Sequence, residues 1–281
     1  MKKRREKRKR NTSESSENDG SDAKIEDDSL LDVDFEFFNP RPTDSCTLRN
    51  FLRQLIGPDS DCFDISEMSE LILSQNLVGS MVKVDGIESD PFAFLTVLNL
   101  NYHREKTCIK QVLSYIMSKT SSNKEFNKTL DSLLKKSDSD VGLILSERFV
   151  NMPTQIVSPM YELLFEEIEW ALEDKEPYNF SHYIILSRSY QEKPLKREGF
   201  LKKRRKVSKN NMETIYFHPE DELFKKKSLY SVTYKYTKPD RDCDFRRVFQ
   251  SVGIQTQGEI IIILKDKLKE AIADLKLMFV E

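Results

Sequence analysis

Two short stretches, 141–145 (VGLIL) and 260–264 (IIIIL), contain no polar side chain. A strand of that kind has no face it can turn to water, so each reads as an interior strand buried in a sheet. Period-two segments mark further strands around them. Val33, Phe35 and Phe37 alternate with Asp32, Asp34 and Glu36 until Pro40 and Pro42 end the pattern. Leu77–Val84 and Phe92–Leu100 flank Asp85-Gly86 as an antiparallel pair, and Tyr183–Ser187, Thr214–Phe217 and Tyr230–Tyr236 complete the set.

Stripes at helical spacing separate the strands. Leu48, Phe51, Leu52, Leu55 and Ile56 form the first, stopped by Gly57-Pro58; Met68, Leu71 and Ile72 form the second, with Asp64 and Glu67 as a capping pair. Cys108, Ile109, Val112, Leu113, Ile116 and Met117 make a third stripe. Phe126, Leu130, Leu133 and Leu134 make a fourth, started by Ser122 with Glu125 three residues on. Asn151 and Pro153 open a long helix whose core face is Ile156, Met160, Leu163, Leu164, Ile168 and Ala171. Phe165 and Trp170 fall off that stripe, either against a neighbouring element or as an exposed aromatic anchor. A last helix runs through Leu268, Ile272, Leu275 and Phe279. About eight strands and six helices in this irregular order, with neither βαβ alternation nor a repeat, predict one α+β domain over residues 31–281, built on a mixed central sheet flanked by helices. A domain of that length buries about three quarters of its unfolded surface and needs no covalent staple.

Residues 1–30 have a different character. Lys2, Lys3, Arg4, Arg5, Lys7, Arg8, Lys9 and Arg10 form an almost pure cationic run, after which the sign flips: from Glu14 to Glu36 ten acidic residues face Lys24 alone. Between the two runs lies NTSESSENDGSD, 11–22, with nothing apolar to bury, so residues 1–30 are expected not to offset the entropy of ordering and to be disordered. A second basic block, 196–209 (KREGFLKKRRKVSK), lies between two predicted strands and reads as a protruding loop at about 196–212.

Lys202, Lys203, Arg204, Arg205 and Lys206, together with the N-terminal run, have the form that a nuclear import receptor reads in extended chains, so both blocks are candidates for import. Direct nucleic-acid binding is disfavoured, because no stacking aromatics interleave with the cations and the neighbouring carboxylates would repel phosphate. The carboxylates Asp22, Glu26, Asp27, Asp28, Asp32, Asp34 and Glu36 suit reversible shielding of a strongly basic protein, or serve as a solubilising tail.

The search for chemistry comes back empty. Cys46, Cys62, Cys108 and Cys243 have no CxxC spacing and are expected to be reduced, mostly buried thiols. His103, His182 and His218 stand far from one another and from any cysteine, so no metal site is expected. Neither GxGxxG nor GxxxxGK[ST] nor GxSxG occurs, so no cofactor, nucleotide or catalytic nucleophile is expected. No apolar run reaches the roughly 18 residues of a membrane span.

One stretch is more distinctive than composition. Val141–Val157, VGLILSERFVNMPTQIV, followed by Pro159, Met160 and Tyr161, resembles the signature of the BCCIP family, with Ser146, Glu147, Arg148, Phe149, Asn151 and Pro153 in its most specific part. The opening VDFEFFNP at 33–40 after an acidic tail is similar to the same family, and the likeness extends over about residues 30–281. The resemblance implies a fold like that of the GCN5-related N-acetyltransferases, without the glycine loop that binds acetyl-CoA in active members, and hence no enzyme. A surviving acyltransferase is the weaker alternative. It also implies a nuclear, shuttling protein that chaperones a basic ribosomal protein of the large subunit, supports 60S assembly, and assists nuclear export of a phosphatidylinositol-phosphate kinase. Animal members suggest the alternative of a DNA-repair and cell-cycle scaffold.

Overall fold

Both wholly apolar runs lie inside one eight-stranded mixed sheet. The structure, a computed structural model, describes residues 34–135, 139–192, 214–238 and 254–278. Within the compact unit Asp34–Glu281, the strands are β1 (Glu36–Phe38), β2 (Ser80–Lys83), β3 (Ala93–Asn99), β4 (Asp140–Arg148), β5 (Phe180–Glu192), β6 (Thr214–Tyr216), β7 (Tyr230–Tyr234) and β8 (Ile254–Leu264). Their order is β1-β2-β3-β4-β5-β8-β7. All neighbours are antiparallel except β4 and β5, which are parallel and pair from Asp140–Phe180 to Ile144–Ile185. β8 lines β5 from His182 to Glu192, filling one edge completely, so β6, which pairs with Ser189–Gln191, takes the other edge, where β4 has already left.

The helices cover both sides, as a sheet with fully apolar interior strands demands. On one face lie α1 (Ser45–Ile56), α2 (Ile65–Leu73), α3 (Thr107–Lys119) and α4 (Lys124–Lys135), whose apolar stripes pack on Leu143, Leu145, Ile184, Leu186, Ile260 and Ile262. On the other lie α5 (Val157–Glu173), α6 (Glu220–Lys226) and α7 (Lys265–Met278), packed on Ile144, Tyr183, Ile185, Ile261 and Ile263. Gly142 sits at a close approach inside the sheet. A Cβ there would come within 2.7 Å of Val97 Cγ2 and 2.8 Å of Tyr183 Cδ1, so only glycine lets these two interior side chains close over the strand.

Several expectations are corrected. The cap of α4 is Asn123, whose Oδ1 accepts the Phe126 N–H at 3.0 Å, and not Ser122. Leu163, expected on the core face of α5, is only half-buried; of the two aromatics off that stripe, Phe165 packs against a neighbouring element, buried on Tyr183 where α7 and the sheet both cover α5, and Trp170 stands out, 54% exposed. α6 was not anticipated; seven residues are too few for a periodic stripe, although Pro219, an acidic first turn and Lys225-Lys226 at the end are favourable signals. Cys46 and Cys62 are exposed and Cys108 is buried, so two of the three described thiols do not meet the expectation of burial. Burial and the nearby Glu67 raise the Cys108 thiol to about 11.

Candidate functional site

Parallel strands that part leave a wedge, and what fills it is set by the side chains that alternate along their ends. β4 continues past Ile144 through Leu145-Ser146-Glu147-Arg148, the core of the distinctive sequence stretch. Alternation sends Glu147 to the α1 face and Arg148 to the α5–α6 face, and both are buried. Glu147 is fully enclosed and fully used. Its Oε1 accepts from His218 Nε2 at 2.8 Å, Gln54 Nε2 of α1 at 3.3 Å and the Arg148 N–H at 3.2 Å, and its Oε2 accepts from Arg188 of β5 at 2.6 Å. Arg188 also stacks on Phe217, 4.8 Å from the ring centroid.

On the opposite face Arg148 grips Glu220 through both terminal nitrogens, in the bidentate geometry that makes arginine–carboxylate pairs strong. Asp221, the next residue of α6, accepts from Ser187 Oγ of β5 at 2.6 Å. The turn that precedes α6 thus plugs the wedge, with His218 engaged on one side of the sheet and Glu220 and Asp221 on the other.

Electrostatics follow from the pairing. Burial alone would raise the Glu147 carboxyl, but Arg188 and His218 hold it below the usual carboxylate range. Burial would lower His218, and the bond to Glu147 overrides it, so the imidazole is raised and favours its charged form. Asp221 is pushed up to about 7 by burial and by the adjacent Glu220 charge. Tyr161 of α5 is held protonated by burial in the same pocket of charge. Each ionic group has a partner inside the chain, although Arg188 Nε is buried without an acceptor among the described residues, and the cluster is built to hold the strands in place.

The rest of the stretch points outward. Phe149 rests one side on Phe51 and Phe92, with centroids 5.2 and 6.0 Å away, yet stays 41% exposed; Val150 is 82% exposed. Asn151 and Pro153 are exposed, Met152 is buried, and Ser146 is half-buried opposite Leu95. Among the other predicted site residues, Asp34 and Glu36 are exposed at β1. Both basic blocks, including Lys2 to Arg10 and Lys202 to Lys206, lie outside the described residues, as do Asp22, Glu26, Asp27, Asp28 and Asp32. Sequence reasoning missed Gln54, Ser187, Arg188, His218, Glu220 and Asp221, which lie far apart along the chain and meet only through strand register. Among the described residues no group of three or more His, Cys, Asp or Glu could hold a metal ion, and no helix is long and apolar enough to cross a membrane.

Comparison with known proteins is consistent along the chain. A family model described as BCCIP matches residues 30–224. The chain is 46% identical to protein bcp1 of Aspergillus fumigatus, covering 91% of this chain and 92% of that one, and 44% identical to protein bcp1 of Schizosaccharomyces pombe, covering 90% and 92%. The crystal structure of BCP1 from Saccharomyces cerevisiae superposes with a TM-score of 0.64 at 26% identity, over 88% of this chain and 89% of that one.

Proposed function

The chain belongs to the BCCIP family, and from that premise we propose that it is a nuclear chaperone and transport adaptor with no catalytic activity of its own. Its client is a basic large-subunit ribosomal protein, which it screens with the carboxylates of 14–36 and accompanies in 60S assembly. Assistance to nuclear export, including that of a phosphatidylinositol-phosphate kinase, belongs to the same reading.

One observation carries it. The ionisable residues of the signature are spent on other residues of the chain: Glu147 on Arg188, His218 and Gln54, and Arg148 on Glu220. What remains for the outside is Phe149, Val150, Asn151 and Pro153, chemistry suited to adhesion and not to proton transfer. We read the sheet as an acetyltransferase-like scaffold without a cofactor. In support, β4 and β5 run parallel and part after Ile144–Ile185, and Glu147, Arg188 and His218 fill the wedge where an acyl donor would enter.

The test is reconstitution of the full chain with a basic ribosomal protein of the large subunit. A one-to-one complex that weakens with salt, and weakens again when Asp22, Glu26, Asp27, Asp28, Asp32, Asp34 and Glu36 are neutralised, is the expected result. Separate elution of the two proteins at low salt would overturn the client assignment. Acetyl-CoA should leave the thermal midpoint unchanged; a gain of about 2.7 kcal/mol at 100 times a dissociation constant would restore the acyltransferase alternative. Neutralising 2–10 together with Lys202 to Lys206 should abolish nuclear accumulation of a large fusion, and unchanged accumulation would refute import through these blocks.

A further inference from the structure

The sheet has two edges, and they are finished differently. β1 is three residues long, begins with the charge of Glu36 and runs into Asn39-Pro40. Charge and proline are devices that keep an edge strand from pairing with another chain. β7, the last strand at the other edge, has neither. Its five residues are Tyr230, Ser231, Val232, Thr233 and Tyr234.

On its inner side β7 pairs with β8 from Tyr230–Ile262 to Tyr234–Gly258. In an antiparallel ladder every second residue turns its N–H and C=O away from that neighbour. The outer side of β7 therefore presents such groups, and no strand among the described residues takes them. Thr233 and Lys235 are exposed, and Ser231 and both tyrosines are half-buried. The chain then leaves the line of the strand, because Asp59, in the turn after α1, accepts the Thr237 and Lys238 N–H groups at 2.9 Å.

The side chains of this edge read nearly the same in both directions: tyrosine, a hydroxyl residue, valine, a hydroxyl residue, tyrosine. A two-fold axis through Val232 would set Tyr230 against Tyr234 of a second copy, Ser231 against Thr233, and Val232 against itself. These are the aromatic, hydroxyl and β-branched pairings that stabilise cross-strand contacts, and none of them opposes like charges. Alternation places Tyr230, Val232 and Tyr234 on the face that packs on α1–α4, and Ser231 and Thr233 on the other. Both tyrosine rings are already held, with centroids 6.4 Å from Phe126 for Tyr230 and 5.7 Å from Tyr115 for Tyr234, so little that is loose has to be ordered on pairing.

We infer that β7 is a dimer edge, on which a second copy of this chain adds its own β7 antiparallel and continues the sheet across a two-fold axis. Backbone groups alone accept any extended segment; the reversible order of the side chains selects the chain's own strand. A ladder of five residues is small beside the roughly 1,600 Å² of a standard interface, so the association is weak and belongs to high concentration.

The test is sedimentation of the full chain from about 5 to 300 µM, a range that spans weak association. The parent should show a reversible monomer–dimer equilibrium. Ser231→Lys combined with Thr233→Lys sets lysine against lysine across the axis and should weaken that equilibrium about tenfold or more. The single variants Thr233→Lys and Ser231→Glu guard against a double variant that does not fold. Mixed together, with one of them labelled, they set a lysine against a glutamate and should associate about threefold more tightly than either does alone. A parent that stays monomeric up to about 300 µM, a folded double variant that associates as the parent does, or mixed single variants no tighter than each alone would overturn the dimer edge.

Discussion

The two ends of β4 are built on opposite electrostatic principles. At the end that carries the family signature, the ionic groups Glu147, Arg148, Arg188, His218 and Glu220 all have internal partners. At the other end the bonds are made by neutral amides: Asn99 Nδ2 donates to Asp140 at 2.8 Å, and Asn101 Oδ1 accepts the Val141 N–H at 2.9 Å. Ionic pairs buried together resist the loss of either partner, whereas a neutral amide bond costs only about 0.5–1.5 kcal/mol to lose. The contrast therefore separates a charge-locked end from an amide-bonded end on the same two strands.

The sharpest way to break that contrast is Arg148→Ala. It strands Glu220 beside Asp221 in a buried site, and denaturant unfolding should show a loss of about 3–5 kcal/mol. A loss under 1 kcal/mol, measured against about 0.5 for an ordinary surface change, would mean that the signature end is not structural. Between the two ends, Gly142→Ala probes the strand itself. Its methyl would press on Val97 and Tyr183, and should cost about 1–3 kcal/mol in the same experiment.

A subtler effect comes from pH. The Asp221 carboxyl titrates near 7 in the folded chain against an ordinary 3.8. A raised value means that the folded state holds its proton more tightly, so the associated stability is complete below 3.8 and lost as pH climbs to 7. His218, also raised, acts in the same direction, whereas Glu147, lowered, loses its contribution only as pH falls. Between about pH 5 and 7.5 the thermal midpoint should drop more steeply in the parent chain than in Asp221→Asn; parallel curves would remove Asp221 from the account. The smallest effect is expected at the amide-bonded end, where the exposed side chain of Glu176 can be changed to Gln with a loss or gain of less than about 0.5 kcal/mol in denaturant unfolding.

Much of this architecture could be read from spacing alone. The period-two runs placed Phe37, Phe94 and Val232 in strands, the stripes located six of the seven described helices, and Asp64 caps α2 through the Glu67 N–H as the pair predicts. The family signature was visible too, but its meaning was not. Glu147 and Arg148 look like surface charges on a linear reading. Their partners sit at 188, 218 and 220, and only the parting of β4 from β5 brings these residues together. Phe165 lies off the stripe and is still buried, because a stripe drawn for one covering surface does not describe a helix such as α5 that is packed from two directions.

The position of β8 has a consequence for synthesis. This strand, with its four consecutive isoleucines, pairs with β5 on one edge and β7 on the other, and it follows both in the chain. A ribosome therefore delivers β5 with one apolar flank uncovered and closes it only after residue 264 has emerged. Until then the nascent protein carries an open hydrophobic edge, which is when attachment of the wrong partner is easiest.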